Sequence, residues 1–264
     1  MKRIFLLFNS YEFIFFFLPV TFFIYRYLRE KNFVTAGKAF LIFSSLVFYG
    51  WWNLIYLPII VSSIVFNFLV GSTLGEKSWY KESRKKSVLV FGIISNILLL
   101  GYFKYTDFFI ENVNLFTGSN LQKLELLLPL AISFFTFQQI AYLVDSYTGK
   151  VKDYSLINYC LFVSFFPQLI AGPIVHHSEM MPQFESSKNR LKIYRNISVG
   201  IFIFSIGLFK KVVIADTFAT WADEGFSVAS SLNLIEAWVA SLSYTFQLYF
   251  DFSGYTDMAI GAAL

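Results

Sequence analysis

A chain of 264 residues that is 56% hydrophobic, 21% aromatic and only 14% charged excludes a soluble globular domain, where about a quarter of residues carry charge. Its 34 Phe, 16 Tyr and 5 Trp could not all be hidden from water in a core of this size, so the solvent is largely lipid. The net charge of +4 gives no sign of a nucleic-acid partner. Lys and Arg gather at 26–38, 77–86 and 188–195, each beside an apolar block, as cytoplasmic loops do under the positive-inside bias. Cys160 is the single cysteine, which leaves no disulfide framework and no thiolate metal site.

In chain order, Lys2 and Arg3 precede an apolar stretch interrupted by Asn9, Ser10 and Glu12. No small-residue cleavage site follows, so an uncleaved first span is expected over 11–28, with Pro19 inside it. Residues 39–71 form an apolar block too long for one span and short for two. Basic loops flank both its ends, which predicts a tight hairpin or a re-entrant pair with Tyr49, Trp51 and Trp52 at the far interface. A span is expected over 87–110, with Lys104 snorkelling, and then a mixed-charge loop over 111–125 on the opposite side. A span over 126–144 leads to a polar turn at 145–153. Residues 154–171 are apolar, but Pro167, Gly172 and Pro173 predict a break or a re-entrant segment. A polar, partly amphipathic stretch follows at 176–195. The span at 197–213 carries Lys210 and Lys211 at its end, 218–232 reads as a connector, and 234–264 is the last apolar block. The fold expected is all-α and polytopic, a single membrane domain of seven to nine segments, some broken or re-entrant. The last block is still apolar at Leu264, which reads as the N-terminal part of a longer protein.

Polar residues inside such spans are costly and therefore candidates for function. Ser243, Gln247, Asp251 and Tyr255 recur every four residues, a stripe along one helix face, with Ser253 and Asp257 beside it. Asp251, among Tyr249, Phe250 and Phe252, must face a bundle interior, a partner donor or a polar passage. Ser133, Thr136, Gln138 and Gln139 form a second group, best read as hydrogen bonds between helices. The third is the run 165–177 with Gln168, Gly172, Pro173 and the pair His176 and His177. Non-helical backbone at membrane depth lines a cavity or is buried in protein. Adjacent residues diverge on a helix and no carboxylate or thiol stands at ligand spacing, so the histidines predict an interfacial loop before a metal or acid–base site. No phosphate-cradling glycine loop, nucleophile elbow or metalloprotease motif is present.

Several stretches together carry a resemblance. They are 13–19 with FYGW at 48–51, then 128–145 with YTG at 147–149, AGPIVHHSEMMPQF at 171–184, and YTFQLYFDFSGYTDMAIGA at 244–262. The last two are the specific ones. The chain resembles the membrane-bound O-acyltransferase family, in particular its bacterial alginate O-acetyltransferase branch. That resemblance implies a ring of helices around a funnel through the cytoplasmic membrane, and acyl transfer across it. It implies acetyl-CoA as donor, with no bound cofactor or metal. The implied acceptor is an exported, alginate-like polysaccharide, reached with a periplasmic acetyltransferase or a polysaccharide-export partner. The family's catalytic histidine lies in a Trp- and Arg-rich segment after FDFSGY and is expected beyond Leu264. Neither His176 nor His177 matches it, so the chain by itself is expected to be inactive. Gln168, Gly172, Pro173, His176, Gln247, Asp251, Ser253, Tyr255 and Asp257 are the expected lining of the substrate passage. D-alanyl transfer from a carrier protein, or a transporter or scaffold role, are the alternatives.

Overall fold

The computed structural model describes residues 7–75, 82–151, 155–170, 172, 175–186 and 194–264. Among them every regular element is helical. Four helices are long and apolar enough to cross a membrane: Val34–Trp52, Leu54–Leu74, Ser83–Thr117 and Tyr194–Ser227. The seven to nine expected segments are not reached by that measure. The helices at either side of these are shorter, and the 30-residue Leu234–Ala263 is interleaved with Ser, Thr, Gln, Tyr and Asp. The chain folds as two compact units. One is Met1–Lys31, Ala171–Pro173 and Arg190–Leu264; the other is Asn32–Ile170 and Ile174–Asn189.

The 32–170 unit opens with the expected hairpin. Helix α2 (Val34–Trp52) begins five residues before the apolar block, which supplies the missing length. Asn53 turns the chain, its Oδ1 accepting from Ile55 N at 3.1 Å, and α3 (Leu57–Leu74) returns with Pro58 in its first turn. Helix α4 (Glu82–Thr117) has 36 residues and is about 54 Å long at 1.5 Å per residue, well beyond a ~30 Å hydrocarbon core. It therefore absorbs the first half of the expected 111–125 loop. The chain then folds back along it, with Leu124 N donating to Asp107 Oδ1 and Leu121 N to Asn114 Oδ1, both at 2.8 Å.

Helix α5 (Ile132–Tyr147) likewise extends past the expected turn at Asp145, and the reversal is made at Gly149, φ +73°. Helices α6 (Leu156–Ser164) and α7 (Phe166–Leu169) are divided at Phe165, where ψ is 109°. Pro167 sits in the first turn of α7, where its missing N–H costs nothing. Ile170, Gly172, Val175 and His176 lie outside any helix, so the expected break is present. Pro173 lies outside the described residues, as do most of the basic clusters at 77–86 and 188–195. Helix α8 (His177–Glu185) then lays Met180 and Met181 into the core formed by Tyr49, Ile60, Phe135, Tyr142, Tyr159 and Phe162.

A neutral polar cluster ties three of these helices. Asn67 and Asn96 exchange amide hydrogen bonds of 3.1 and 2.7 Å. Gln139 Oε1 accepts from Ser63 Oγ at 2.9 Å and from Asn67 Nδ2. All four residues are buried. The reading of the 133–139 group as interhelical glue holds for Gln139 and for Gln138, which donates to Phe162 O at 2.9 Å. Amides in lipid-facing bundles contribute about 1–2 kcal/mol each. Asn67→Leu is expected to lower detergent-phase stability by about that amount, whereas Ser62→Ala, on the exposed face, leaves the melting temperature unchanged. An unaltered melting temperature for Asn67→Leu would remove the clamp.

In the other unit, α1 (Leu18–Glu30) follows a π-helical stretch, Phe13–Phe17. The widened turn accommodates Pro19, whose ring would otherwise strike the carbonyl four residues back. Helix α9 (Tyr194–Phe209) runs through a second π stretch, Lys210–Ala215, into α10 (Asp216–Ser227). Most of the expected connector at 218–232 is therefore helix. Its polar residues Asp223 and Glu224 stay exposed, while Ala222 is fully buried in the packing of α10. Asn233 starts α11 (Leu234–Ala263) with a reciprocal capping box to Glu236.

Candidate functional site

Helices α9 and α11 pack backbone to backbone. A Cβ on Gly207 would stand 2.5 Å from Gly254 O, and one on Gly261 would stand 2.5 Å from Gly200 O. Gly200 and Gly207 are seven residues apart, as are Gly254 and Gly261, so both contacts belong to one antiparallel register. The same register brings the α11 stripe against the π stretch. Tyr194–Ser227 is one continuous helical run of 34 residues, and Lys210 and Lys211 lie in its middle, about 24 Å from either end. The sequence places them at the end of a span over 197–213, and the helix itself runs on past them to Ser227.

Lysine ammonium groups within so apolar a helix need partners, and α11 supplies them. Lys210 Nζ donates to Asp257 Oδ2 at 2.6 Å and to Ser253 Oγ at 3.0 Å. Lys211 Nζ lies 2.8 Å from Asp251 Oδ1 and 2.9 Å from Asp216 Oδ1. On a regular α-helix adjacent residues point about 100° apart. The π turn, frequent at functional sites, lets both lysines meet one face of α11. The cluster holds two cations and three carboxylates, and its groups are partly accessible: the side chains of Lys210 and Asp257 are 28% and 25% exposed.

The expected partner donor for Asp251 is therefore Lys211. Ser253 and Asp257 join the cluster through Lys210. Gln247 sits one turn before Asp251, with its Oε1 shielded and unpaired among the described residues. Ser243 is buried on the same stripe. The Tyr255 ring instead packs 4.7 Å from Phe8. Lys210, Lys211 and Asp216 were missing from the expected lining. The signal was present in KKVVIAD, a charged pair and a carboxylate embedded in apolar sequence, and was obscured by treating Lys211 as a helix end.

The described 165–177 candidates lie in the other unit, apart from Gly172, which falls in the first. Gln168 is partly exposed on α7, and Gly172 is buried. His176 Nδ1 is 2.7 Å from Asp145 Oδ2; Asp145 is buried while the His176 side chain is 51% exposed. His177 turns the other way, buried against Tyr142 and Phe162 with ring centroids at 5.5 and 5.2 Å. The adjacent histidines thus diverge, one at the extended N-cap of α8 and the other in the core. Nearby, Lys38 Nζ donates to Asn158 Oδ1 at 2.7 Å and to Glu185 Oε1 at 3.2 Å. With α2 leading away, α3 returning, α4 leading away and α5 returning, these groups share the end of the unit that carries Arg84, Lys85 and Lys86.

Known proteins carry the same pattern. Residues 85–264 match the sequence profile of MBOAT, the membrane-bound O-acyltransferase family. The chain is 53% identical to the peptidoglycan O-acetyltransferase of Helicobacter pylori over 286 residues, 98% of this chain and 54% of that protein. It is 37% identical to the probable alginate O-acetylase AlgI of Pseudomonas aeruginosa over 264 residues, 98% of this chain and 49% of that protein. Identity to the teichoic acid D-alanyltransferase of Streptococcus thermophilus is 26% over 139 residues, 51% of this chain and 33% of that protein. The chain spans about half the length of the O-acetylating relatives it matches. With its apolar helices and its polar FDFSGYTD stripe, it belongs to the membrane-bound O-acyltransferase family.

Proposed function

We propose that this protein serves O-acetyl transfer across the cytoplasmic membrane, from acetyl-CoA on the inner side to a hydroxyl of an exported glycan. The observation that carries this reading is 53% identity over 98% of the chain to a peptidoglycan O-acetyltransferase. The equally extended alginate O-acetylases stand at 37%. That difference favours peptidoglycan over the alginate-like acceptor read from sequence. D-alanyl transfer has weaker support, since its relatives match only half the chain.

In this reading the chain supplies seven to nine membrane segments of the funnel wall. Gln247, Asp251, Ser253, Tyr255 and Asp257, joined by Lys210, Lys211 and Asp216, line the passage in their unit, while Gln168, Gly172, Pro173 and His176 are read as lining from the sequence alone. The family's histidine is neither His177, which is core, nor His176. A periplasmic acetyltransferase or export protein receives the acetyl group. A transfer site of this kind requires charge stabilisation in a water-poor setting, and the lysine–carboxylate cluster provides it.

Deleting the reading frame from its own cells and measuring base-released acetate on purified peptidoglycan and on exported polysaccharide tests the reading. Loss of acetate from peptidoglycan, restored by the intact gene, is expected. Unchanged acetate on both polymers sinks it. The orientation follows from Arg84, Lys85 and Lys86 at one end of α4 against Lys123 as the single basic residue of the opposite loop. In a Cys160→Ala background, Ser83→Cys is expected to label from the cytoplasm and Asn120→Cys from outside. Labelling of both from one side would show the topology wrong.

A further inference from the structure

We propose that Thr136 and Gln139 form a binding site for an internal water molecule, within the polar cluster that ties α3, α4 and α5. The site belongs to the 32–170 unit and is independent of the acetyl-transfer reading.

The cluster leaves one amide nitrogen unspent. Gln139 Oε1 accepts from Ser63 Oγ and from Asn67 Nδ2, which fixes the direction of the amide. Turned round, its N–H groups would face the Asn67 amide nitrogen, itself a donor. In the fixed orientation Gln139 Nε2 carries two hydrogens, is shielded from solvent and has no acceptor among the described residues. Asn96 Nδ2, by contrast, spends both hydrogens, on Asn67 Oδ1 at 2.7 Å and Gly92 O at 2.8 Å. Thr136 stands one turn before Gln139 on the same face of α5. Its Oγ1 is likewise shielded and without a partner among the described residues. Hydroxyls inside helices commonly return to the carbonyl four residues back, as those of Ser45, Thr106 and Thr117 do at 2.7, 2.6 and 2.7 Å. Thr136 makes no such bond.

Two polar groups buried in this way are costly when left unpaired, and lipid offers them nothing. Side chains three apart on a helix have Cβ atoms about 5–6 Å from one another, a gap that one oxygen bridges with two hydrogen bonds of ordinary length. Water suits the pair. It accepts from Gln139 Nε2 and exchanges a bond with the Thr136 hydroxyl, which can donate or accept. The four residues of the cluster are uncharged, so the ligand needs no charge either. Internal waters settle at such places, each with about two to four polar partners.

The test is a double-mutant cycle on the intact protein in one detergent, read as melting temperature. Thr136→Val keeps the side-chain shape and removes the hydroxyl, and it is expected to lower the midpoint by roughly 2–4 °C, the shift for one lost hydrogen bond in a chain of about this size. An orphaned hydroxyl behaves in the opposite way: its removal raises the midpoint or leaves it level, and that result overturns the proposal. Gln139→Met removes the other partner. The double variant is expected to lose less than the two single losses together, because either substitution already releases the water. Additive losses overturn the shared site. Should Gln139→Met fail to fold, an experimental density map of the wild-type protein that resolves ordered water decides. A water within about 2.7–3.2 Å of both Thr136 Oγ1 and Gln139 Nε2 is expected; a dry contact, or a side chain in its place, overturns the proposal.

Discussion

Replacing Lys211 with methionine is expected to remove transfer activity and to destabilise the α9–α11 pair together. The substitution keeps the aliphatic stem and deletes the cation, which leaves Asp216 and Asp251 facing a shared vacancy with no counter-charge. Breaking a fully buried pair costs about 3–5 kcal/mol, and a water-exposed one costs about 0–1 kcal/mol. Both carboxylate side chains are 47% exposed, so the loss should fall between, at about 1–3 kcal/mol. The double variant Lys211→Met with Asp251→Asn restores most of the stability, since it removes one of the orphaned charges. It does not restore activity, because the Lys211 cation of the cluster is still missing. Melting temperatures in detergent and acetate release from peptidoglycan read the two effects separately. A single variant with wild-type values for both would show that the pair is incidental.

Most of the architecture was legible because lipid makes its own demands. Blocks of about 20 apolar residues predicted the α2–α3 hairpin, and the two prolines with Gly172 predicted the break after α6. What escaped the sequence were continuations. Helix α4 runs to Thr117 past Glu111, and α5 runs to Tyr147 past Asp145, since a helix does not stop where it leaves the hydrocarbon. Nothing in a hydropathy profile marks that point. Lys210 and Lys211 belong to the same pattern: charge was read as the end of a span, and the helix continues past it to Ser227. The Asp145–His176 pair joins residues 31 positions apart, and the Lys210–Asp257 pair joins residues 47 apart. A periodicity argument sees only one helix at a time. The polar stripe on α11 could be read that way; the cations opposite it could not.

The same packing gives glycines of opposite sensitivity. Gly207→Ala is expected to destabilise the protein, whereas Gly101→Ala leaves it unchanged or slightly more stable. A methyl group at Gly207 meets Gly254 O at 2.5 Å, Met258 N at 2.6 Å and Asp257 Cβ at 2.9 Å. Two of the three are backbone atoms, which no side-chain rotation can clear, so α9 and α11 must separate. Overpacking of this kind costs about 1–3 kcal/mol. It also draws Lys210 away from Asp257 and Ser253, so transfer should fall with stability. Gly101 lies in α4 with nothing within 4 Å of the position its Cβ would take. There alanine only gains helix propensity and restricts the unfolded chain, about 0.4–1 kcal/mol in its favour. Thermal unfolding of the two variants beside wild type, in one detergent, should show a lowered midpoint for Gly207→Ala and a level or slightly raised one for Gly101→Ala. If Gly207→Ala proved as harmless as Gly101→Ala, the close α9–α11 approach would be wrong, and with it the register that presents both lysines to the carboxylates of α11.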